Sequence, residues 1–160
     1  MKVAYFLLIF PLLVSANAIH FVTEDLPPFQ VADESGQLIG GTSHAVVETL
    51  IRRLDLKADI QVLPWARAYK RALSTKNTFI YSIARSPQRE NKFIWIGQLK
   101  QVKFHFYGLD HVSNDVSLAD SSIFSQNVAA VRGTIEEDLL RQVGFKVGKN
   151  LFLTDSHFSA

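Results

Sequence analysis

The stretch TFIYSIARSPQREN, Thr78 to Asn91, decides the fold. Its first half, which ends at Ala84, reads as one unbroken strand of the kind that is buried on both faces of a parallel sheet. Its second half places Arg85 and Arg89 four residues apart around a Ser-Pro pair. Guanidinium groups that follow a buried strand either face water or hold an anion, so the same stretch also raises the question of function.

The segments before this stretch alternate between strand and helix patterns. IHFVTE and DIQVLPW are rich in β-branched and aromatic residues and predict strands over 19–24 and 59–65. SHAVVETLIRRLDL and ARAYKRAL have helical spacing and predict helices over 43–56 and 66–73, the first with Thr42 or Ser43 as its N-cap. The apolar stripe of the first helix is expected to pack on the sheet and consists of Val46, Val47, Leu50, Ile51 and Leu54. The order β, α, β, α, β predicts an open α/β sheet with right-handed crossovers and flanking helices.

A second, shorter unit follows the same pattern. KQVKFHFYGL alternates apolar and polar residues and predicts a strand over 100–109, and a polar connection follows it. NVAAV then predicts a strand over 127–131, RGTIEEDLLRQVGF a helix, and KNLFLTDS a further strand. Thr134 and Glu137 form a capping box at the start of that helix, and Gly144 is placed to end it in the left-handed conformation.

The N-terminus has the composition of a secretory signal. One basic residue, Lys2, precedes an apolar run of about a dozen residues, which is short for a membrane span, and Ala16 and Ala18 form a small-x-small cleavage site. We expect a signal peptide over 1–18, a first lobe over 19–110, a hinge over 111–126 and the incomplete beginning of a second lobe over 127–160. The alternative is an uncleaved membrane anchor. The chain has no cysteine, so an exported protein of this length depends on its core, which favours the periplasm.

Composition and motifs give little support to catalysis or to nucleic-acid binding. The net charge of +2 falls to +1 without Lys2, and no basic block remains as a nucleic-acid footprint. The five histidines are scattered without metal-ligand spacing, and neither a nucleophile elbow nor a Gly-rich phosphate loop is present. We therefore expect no metal, no cofactor and no enzymatic activity.

Polar and aromatic residues instead follow the ends of four predicted strands, the edge at which open α/β sheets bind ligands. They are Glu24 and Asp25, then Trp65 and Arg67, then Ser82, Arg85, Ser86 and Arg89, and finally Arg132, Gly133 and Thr134. Each has a simpler explanation: the arginines as solvated charges, Trp65 as a core aromatic, and Thr134 as a helix cap. Their convergence on one edge favours a binding site.

Three motifs in this order resemble the bacterial extracellular solute-binding proteins of family 3, the polar amino acid type that serves ABC importers in the periplasm. The motifs are FVTEDLPPFQVADESGQLIG, SIARSPQRENKFIWIG and VAAVRGTIEEDLLRQVGF, and the resemblance runs from about Ile19 to about Thr154. It implies a periplasmic binding protein type II-like fold, with one near-complete lobe plus the start of a second. The second lobe of such proteins normally continues past this point.

The resemblance also implies how a ligand is held. Arg89 and Ser86 would grip a ligand carboxylate, with Ser82 nearby, and Gly133 and Thr134 would close from the second lobe. Alanine stands at position 84, where the family often has a further serine, and leucine at 26, where it often has an aromatic residue. These departures leave the identity of the ligand open.

The leading hypothesis is therefore a monomeric periplasmic protein that captures a small carboxylate-bearing or zwitterionic solute and delivers it to an inner-membrane ABC permease. Trp65 would form a flat apolar wall, and Arg67, Arg85 and Glu24 are the remaining candidate contacts. One alternative is an enzyme of the elimination type on the same scaffold, with Glu24 as its general acid or base. Others are a sensor module and a truncated remnant that does not bind.

Overall fold

The computed structural model describes residues 18–108 and 121–157, called below the N-terminal unit and the C-terminal unit. In chain order, the strands and α-helices are β1 Ile19–Thr23, β2 Val31–Ala32, β3 Leu38–Gly40, α1 Thr42–Arg53, β4 Ala58–Val62, α2 Trp65–Ser74, β5 Thr78–Ile80, β6 Val128–Val131, α3 Ile135–Val143 and β7 Leu151–Thr154. Short 3₁₀ helices cover Glu90–Lys92 and Ser121–Ser125. Most of the predicted signal peptide and hinge lies outside the described residues.

The N-terminal unit is built on a three-stranded parallel sheet in the order β4-β1-β5. β1 is the central strand, with Phe21 opposite Ile60 of β4 and Phe79 of β5. The crossovers run through α1 and α2, as the alternating sequence pattern predicts. The predicted class, an open α/β sheet with flanking helices, is confirmed, and the carboxyl ends of all three strands lie at one edge.

The start of α1 differs from the prediction, because groups distant in the sequence cap the helix instead of Thr42 or Ser43. Gly41 is the N-cap, and no side chain caps the helix. The first N–H groups of α1 donate instead to loop carbonyls: Ser43 N to Phe29 O at 2.8 Å and Thr42 N to Pro28 O at 3.0 Å. A Cβ on Gly41 would lie 2.4 Å from Phe29 O, and φ there is +118°, so this contact requires glycine.

Much of the predicted apolar stripe of α1 lies on the surface. Ser43 and Val47, one turn apart, are the buried positions of the helix. Val46 and Leu50 are each 46% exposed and Leu54 is 63% exposed, so the prediction that the whole stripe packs on the sheet is wrong. The N-terminus of α1 is held on the Pro28–Phe29 loop by the hydrogen bonds of Thr42 N and Ser43 N.

Two strand predictions also change in the structure. β5 is only three residues long and lies at the edge of its sheet, with Phe79 36% exposed, so it is not buried on both faces. The predicted strand over 100–109 is absent from residues 101–108, where no β-pairing is formed. Its alternating side chains, Val102, Phe104 and Phe106, are 45 to 49% exposed. A strand requires a neighbour with which to pair, and sequence periodicity does not supply one.

The C-terminal unit follows its local sequence signals closely. β6 and β7 pair in parallel, and a cluster of Ile123, Leu140, Phe145 and Leu151 forms its core. The Thr134 hydroxyl accepts from Glu137 N, as a capping box predicts. The Glu137 carboxylate accepts from Gly133 N at 2.7 Å, one residue before the cap. Gly144 ends α3 in the left-handed region at φ +115°.

No helix within residues 18–108 or 121–157 is long and apolar enough to cross a membrane.

Candidate functional site

Arg89 is the buried cation at the carboxyl edge of the sheet. Its side chain is only 3% exposed. Its Nη1 donates to Ala84 O at 3.1 Å, within the same loop, and its Nη2 donates to Gly133 O at 3.0 Å, in the C-terminal unit. The guanidinium therefore joins the two units through a neutral carbonyl group.

Aromatic side chains enclose this guanidinium. Its Cζ atom lies 5.6 Å from the ring centroid of Trp65 and 5.3 Å from that of Tyr69, both within cation–π range. Trp65 is itself buried, and its Nε1 donates to Gly133 O at 2.7 Å. The Gly133 carbonyl thus accepts from both Trp65 and Arg89, since α2 and the Ser86–Arg89 loop bring the two donors to one point.

The charge of Arg89 has an ion-pair partner among the described residues, but that carboxylate is not hydrogen-bonded to it. The carboxylate paired with it is Asp138, and the Nη2–Oδ2 distance of 3.9 Å is too long for a hydrogen bond. Buried charges are costly unless an opposite charge and hydrogen bonds compensate them. An anion at hydrogen-bond distance would therefore be favourable here.

Gly133 and Thr134 lie at the start of α3, opposite Arg89. Their polar groups serve the helix cap in this structure: Gly133 N donates to Glu137 Oε2 at 2.7 Å, and Thr134 Oγ1 donates to Val131 O at 2.8 Å. Gly133 adopts φ +74°, which favours glycine and turns its carbonyl toward Trp65 and Arg89.

Buried polar atoms without a hydrogen-bond partner in the described part of the chain gather at this edge. They are Thr23 Oγ1, Gln30 Nε2, Tyr81 OH and Ser86 Oγ. Ser82, whose φ of +59° is unusual for serine, donates its hydroxyl to Gln30 Oε1 at 2.8 Å. Sequence reasoning included both serines and missed Gln30, because glutamine after Pro-Pro-Phe has no pattern that marks it as buried.

Glu24 follows β1 and is 7% exposed. Burial, the Glu136 carboxylate and then the Asp25 carboxylate raise the pKa of Glu24 to about 7. His157 Nε2 lies 3.8 Å from Glu24 Oε2, while Asp25 Oδ1 accepts from Ala32 N at 2.8 Å. Glu24 is thus poised to carry a proton near neutral pH, and Glu136 of α3 contributes to that state from the C-terminal unit.

The other predicted arginines make contacts of their own. Arg85 is exposed, pairs with Glu90 (Nε to Oε2, 2.8 Å) and lies 5.3 Å from the Trp95 ring centroid. The Glu90 hydrogen bond raises the pKa of Arg85, and Arg85 in turn lowers the pKa of Glu90. Arg67 and Arg132 line a separate cavity of about 240 Å³, the latter 3.6 Å from Asp155.

A second cavity, of about 420 Å³, has a lining that contains none of the predicted site residues. The lining residues are Gly36, Gln37, Leu38, His44, Ile60, Gln61, Val62 and Leu63. Within residues 18–108 and 121–157, no three His, Cys, Asp or Glu side chains are grouped so that they could hold a metal ion.

Comparison with known proteins gives structural likeness only. No family model matches the chain, and no curated protein matches it. Among solved structures, a histidine kinase sensor domain with similarity to periplasmic binding proteins has a TM-score of 0.66 at 17% identity, covering 88% of this chain and 60% of its own. An ancestral arginine-binding protein bound to glutamine has a TM-score of 0.65 at 17% identity, covering 87% and 60%. An ancestral amino acid-binding protein, a precursor of cyclohexadienyl dehydratase, has a TM-score of 0.61 at 17% identity, covering 87% and 62%.

These comparisons show that the chain has the fold of periplasmic binding proteins. The chain spans about 60% of the length of these solved structures.

Proposed function

We propose that the protein captures a small carboxylate-bearing or zwitterionic solute between its two units, with Arg89 as the carboxylate clamp. The observation that carries this proposal is the state of the Arg89 guanidinium. It is 3% exposed, enclosed by two aromatic rings, and hydrogen-bonded only to neutral carbonyls in the described residues. A planar guanidinium matches a carboxylate in a two-bond fork, which is stronger than a bond to a neutral carbonyl.

In this proposal the Gly133 carbonyl oxygen occupies, in the absence of a ligand, the position that a ligand oxygen takes on binding. When the units separate, Arg89 is released from Gly133, and a ligand carboxylate takes over the freed N–H groups. Trp65 provides a flat wall, and the Ser86 hydroxyl donates a hydrogen bond. The Ser82 hydroxyl donates to Gln30 Oε1, so its oxygen is left to accept from the ammonium group of a zwitterionic ligand. Thr134 and the N-terminus of α3 close from the other side, where the helix dipole favours an anion.

The other sequence-predicted residues have outlying roles in the proposed site. Glu24 lies where it meets a cationic group of a zwitterion, whereas Arg67 and Arg85 contact only a ligand that extends toward solvent. Movement of the units takes place in the connection over 111–126 and is driven by contacts that the ligand makes only in the closed state.

The cellular setting belongs to the same proposal. Residues 1–18 act as a cleaved signal peptide, the protein works in the periplasm as a monomer, and an inner-membrane ABC permease is its partner. The signal-like N-terminal composition supports this setting, as do the solved structures of similar fold that bind amino acids.

A thermal-shift screen against L-arginine, L-lysine, L-glutamine, succinate and butanoate tests the function. A ligand at 100 times its Kd should add about 2.7 kcal/mol to the free energy of unfolding. Calorimetry on Arg89→Ala should then show a loss of about 2 to 5 kcal/mol in binding free energy. The matched control is Arg53→Ala, an exposed arginine at the end of α1. Unchanged affinity in Arg89→Ala rules out the carboxylate clamp.

One observation favours a second function, an elimination-type enzyme. Glu24 has a pKa raised to about 7, the range in which a carboxyl group serves as general acid or base. An enzyme would convert its ligand and lose turnover in Glu24→Gln while retaining binding. Reversible binding without product, followed by NMR of the probe over hours, favours the binding protein.

A further inference from the structure

Gln30 is a completely buried side chain in the loop between β1 and β2. Its backbone is fixed by two hydrogen bonds with Leu26, at 2.9 and 3.2 Å. Its side-chain oxygen accepts the Ser82 hydroxyl at 2.8 Å. The hydrogen bonds to Leu26 and Ser82 therefore fix both the backbone and the amide oxygen of Gln30. Together they determine where its amide nitrogen points.

That amide nitrogen has no hydrogen-bond partner among the described residues. Most buried side-chain polar atoms in native proteins do have one, and leaving such a donor unmet is unfavourable. Ser82 reaches Gln30 from a backbone conformation at φ +59°, which serine adopts rarely. A buried donor held in place by a strained residue is better explained by a ligand than by packing, since an apolar side chain would pack without either cost.

Gln30 belongs to the same edge as Arg89. Its partner Ser82 lies in the segment that also contains Ala84 and Ser86, and Ala84 O accepts from Arg89 Nη1 at 3.1 Å. The Ser86 hydroxyl, 6% exposed by residue, is likewise without a partner in the described part of the chain. Gln30 and Arg89 are thus bonded to the same segment, Gln30 through Ser82 and Arg89 through Ala84.

We infer that Gln30 is a specificity-determining residue whose amide N–H groups donate to a second oxygen of the ligand, beyond the carboxylate oxygen held by Arg89. The inference rests on the proposed function and narrows the ligand class. The amide nitrogen has two donors and no acceptor, so the group it faces is an oxygen acceptor such as a carboxylate, a carboxamide carbonyl or a hydroxyl. An ammonium or an apolar group at that point would leave the donors unmet.

The test compares succinate and L-glutamine, which carry a second oxygen group, with butanoate, which does not, by calorimetry on the full protein. Gln30→Glu keeps an oxygen for Ser82 and replaces both N–H donors by an acceptor. It should weaken succinate and L-glutamine by about tenfold to a hundredfold, the range for one buried hydrogen bond, and leave butanoate unchanged. Gln101→Glu makes the same chemical change at an exposed position and should bind like the wild type.

A second variant covers the case in which Gln30→Glu does not fold. Gln30→Met has similar length and no polar group; combined with Ser82→Ala it leaves neither partner of the Ser82–Gln30 bond behind. This double variant should fold with an unchanged or higher Tm in the absence of ligand and should lose the preference for succinate and L-glutamine over butanoate. A Tm lower by more than about 3 °C would mean that the amide has a structural role, for example through a buried water, and would overturn the inference.

The two proposals fail in different ways. If Arg89→Ala abolishes binding while Gln30→Glu binds all probes like the wild type, Gln30 is not a specificity residue and the carboxylate clamp stands. If Arg89→Ala has no effect while Gln30→Glu loses affinity, the clamp is wrong and the Gln30 assignment survives. If no probe binds to the wild type, the proposed function fails for these ligands, and the Tm of the ligand-free double variant decides whether the Gln30 amide is structural.

Discussion

The two units of the molecule differ in how they treat their buried polar side chains. Both bury apolar residues, with Leu151 at 0% exposure in the C-terminal unit and Val22 at 0% in the N-terminal unit. The buried polar side chains of the C-terminal unit, Thr134, Glu137 and Asn150, are hydrogen-bonded. In the N-terminal unit Thr23 and Gln30 are completely buried, and Thr23 Oγ1 and Gln30 Nε2 have no partner among the described residues.

The surfaces differ in degree. The N-terminal unit exposes Leu54 at 63% and Ile94 at 95%, whereas the most exposed large apolar side chain in the described part of the C-terminal unit is Phe152 at 50%. Buried polar groups without partners, gathered at one edge of a unit, are costly for stability and point to function. The C-terminal unit, in turn, places Gly133 at the start of α3, and so provides the other side of the proposed site.

The largest expected effect falls on the hydrophobic core of the C-terminal unit. Leu151→Ala should lower the free energy of unfolding by about 2 to 5 kcal/mol, because it leaves a cavity in the cluster with Leu140 and Phe145. Phe152→Ala, next in sequence but 50% exposed, should cost clearly less. Urea unfolding monitors both variants, and equal losses would mean that this cluster does not act as a core.

The next effect tests whether the polar edge opposes stability. The pKa of Glu24, about 7 in the folded protein, lies above its ordinary value of 4.5, so the folded state favours the protonated form. Stability from this group is present below pH 4.5 and is lost between about pH 4.5 and pH 7, by about 3 kcal/mol. Glu24→Gln should remove this loss and be more stable than the wild type at pH 8 but not at pH 4. Parallel pH dependences of urea unfolding in the two proteins would contradict it.

A smaller effect tests the contact between the units. Trp65→Phe keeps the aromatic wall beside Arg89 and removes the indole N–H that donates to Gly133 O at 2.7 Å. The loss of one buried hydrogen bond should cost about 1 to 2 kcal/mol, because the Gly133 carbonyl retains Arg89 as a donor. Chemical denaturation measures the cost. A stability equal to that of the wild type would mean that the indole N–H contributes nothing to the contact.

The smallest effect concerns the glycine that ends α3 in the C-terminal unit. Gly144→Ala places a side chain at φ +115°, and its Cβ would lie 3.4 Å from the Phe124 ring. We expect a loss of about 1 kcal/mol in the free energy of unfolding, measured by thermal denaturation. Gly36→Ala, at φ +80° with open space around it, is the control without the ring contact and should cost somewhat less.

The sequence predicts well those features that depend only on residues close to one another along the chain. The Thr134–Glu137 cap and the Gly144 terminus of α3 are confirmed, since each depends on groups within a few positions of it. The predicted N-cap of α1 is wrong because the carbonyls of Pro28 and Phe29, more than ten positions away, accept from the first N–H groups of the helix. The strand over 100–109 is wrong for residues 101–108 because a strand depends on a partner elsewhere in the fold.

The residues of the candidate site also divide into those that the sequence predicts and those that only the tertiary structure reveals. Arg89, Trp65 and Gly133 were chosen from strand ends and motif resemblance, and the fold brings these three together, although their role toward a ligand stays a prediction. Arg67 and Arg85 were chosen on the same grounds; in this structure Arg67 lines a cavity with Arg132, and Arg85 pairs with Glu90. Gln30 was missed because only the tertiary structure buries it, and composition gives no sign that an uncharged amide is without a partner.

The central claim is that a ligand carboxylate replaces the Gly133 carbonyl at Arg89. Its most direct test is a crystal structure of the protein with the probe that gives the largest thermal shift. The account predicts two carboxylate oxygens at about 3 Å from the Arg89 guanidinium nitrogens, with Gly133 O no longer bonded to Nη2. A bound probe that leaves the 3.0 Å bond between Arg89 Nη2 and Gly133 O intact, with its carboxylate elsewhere, would contradict it.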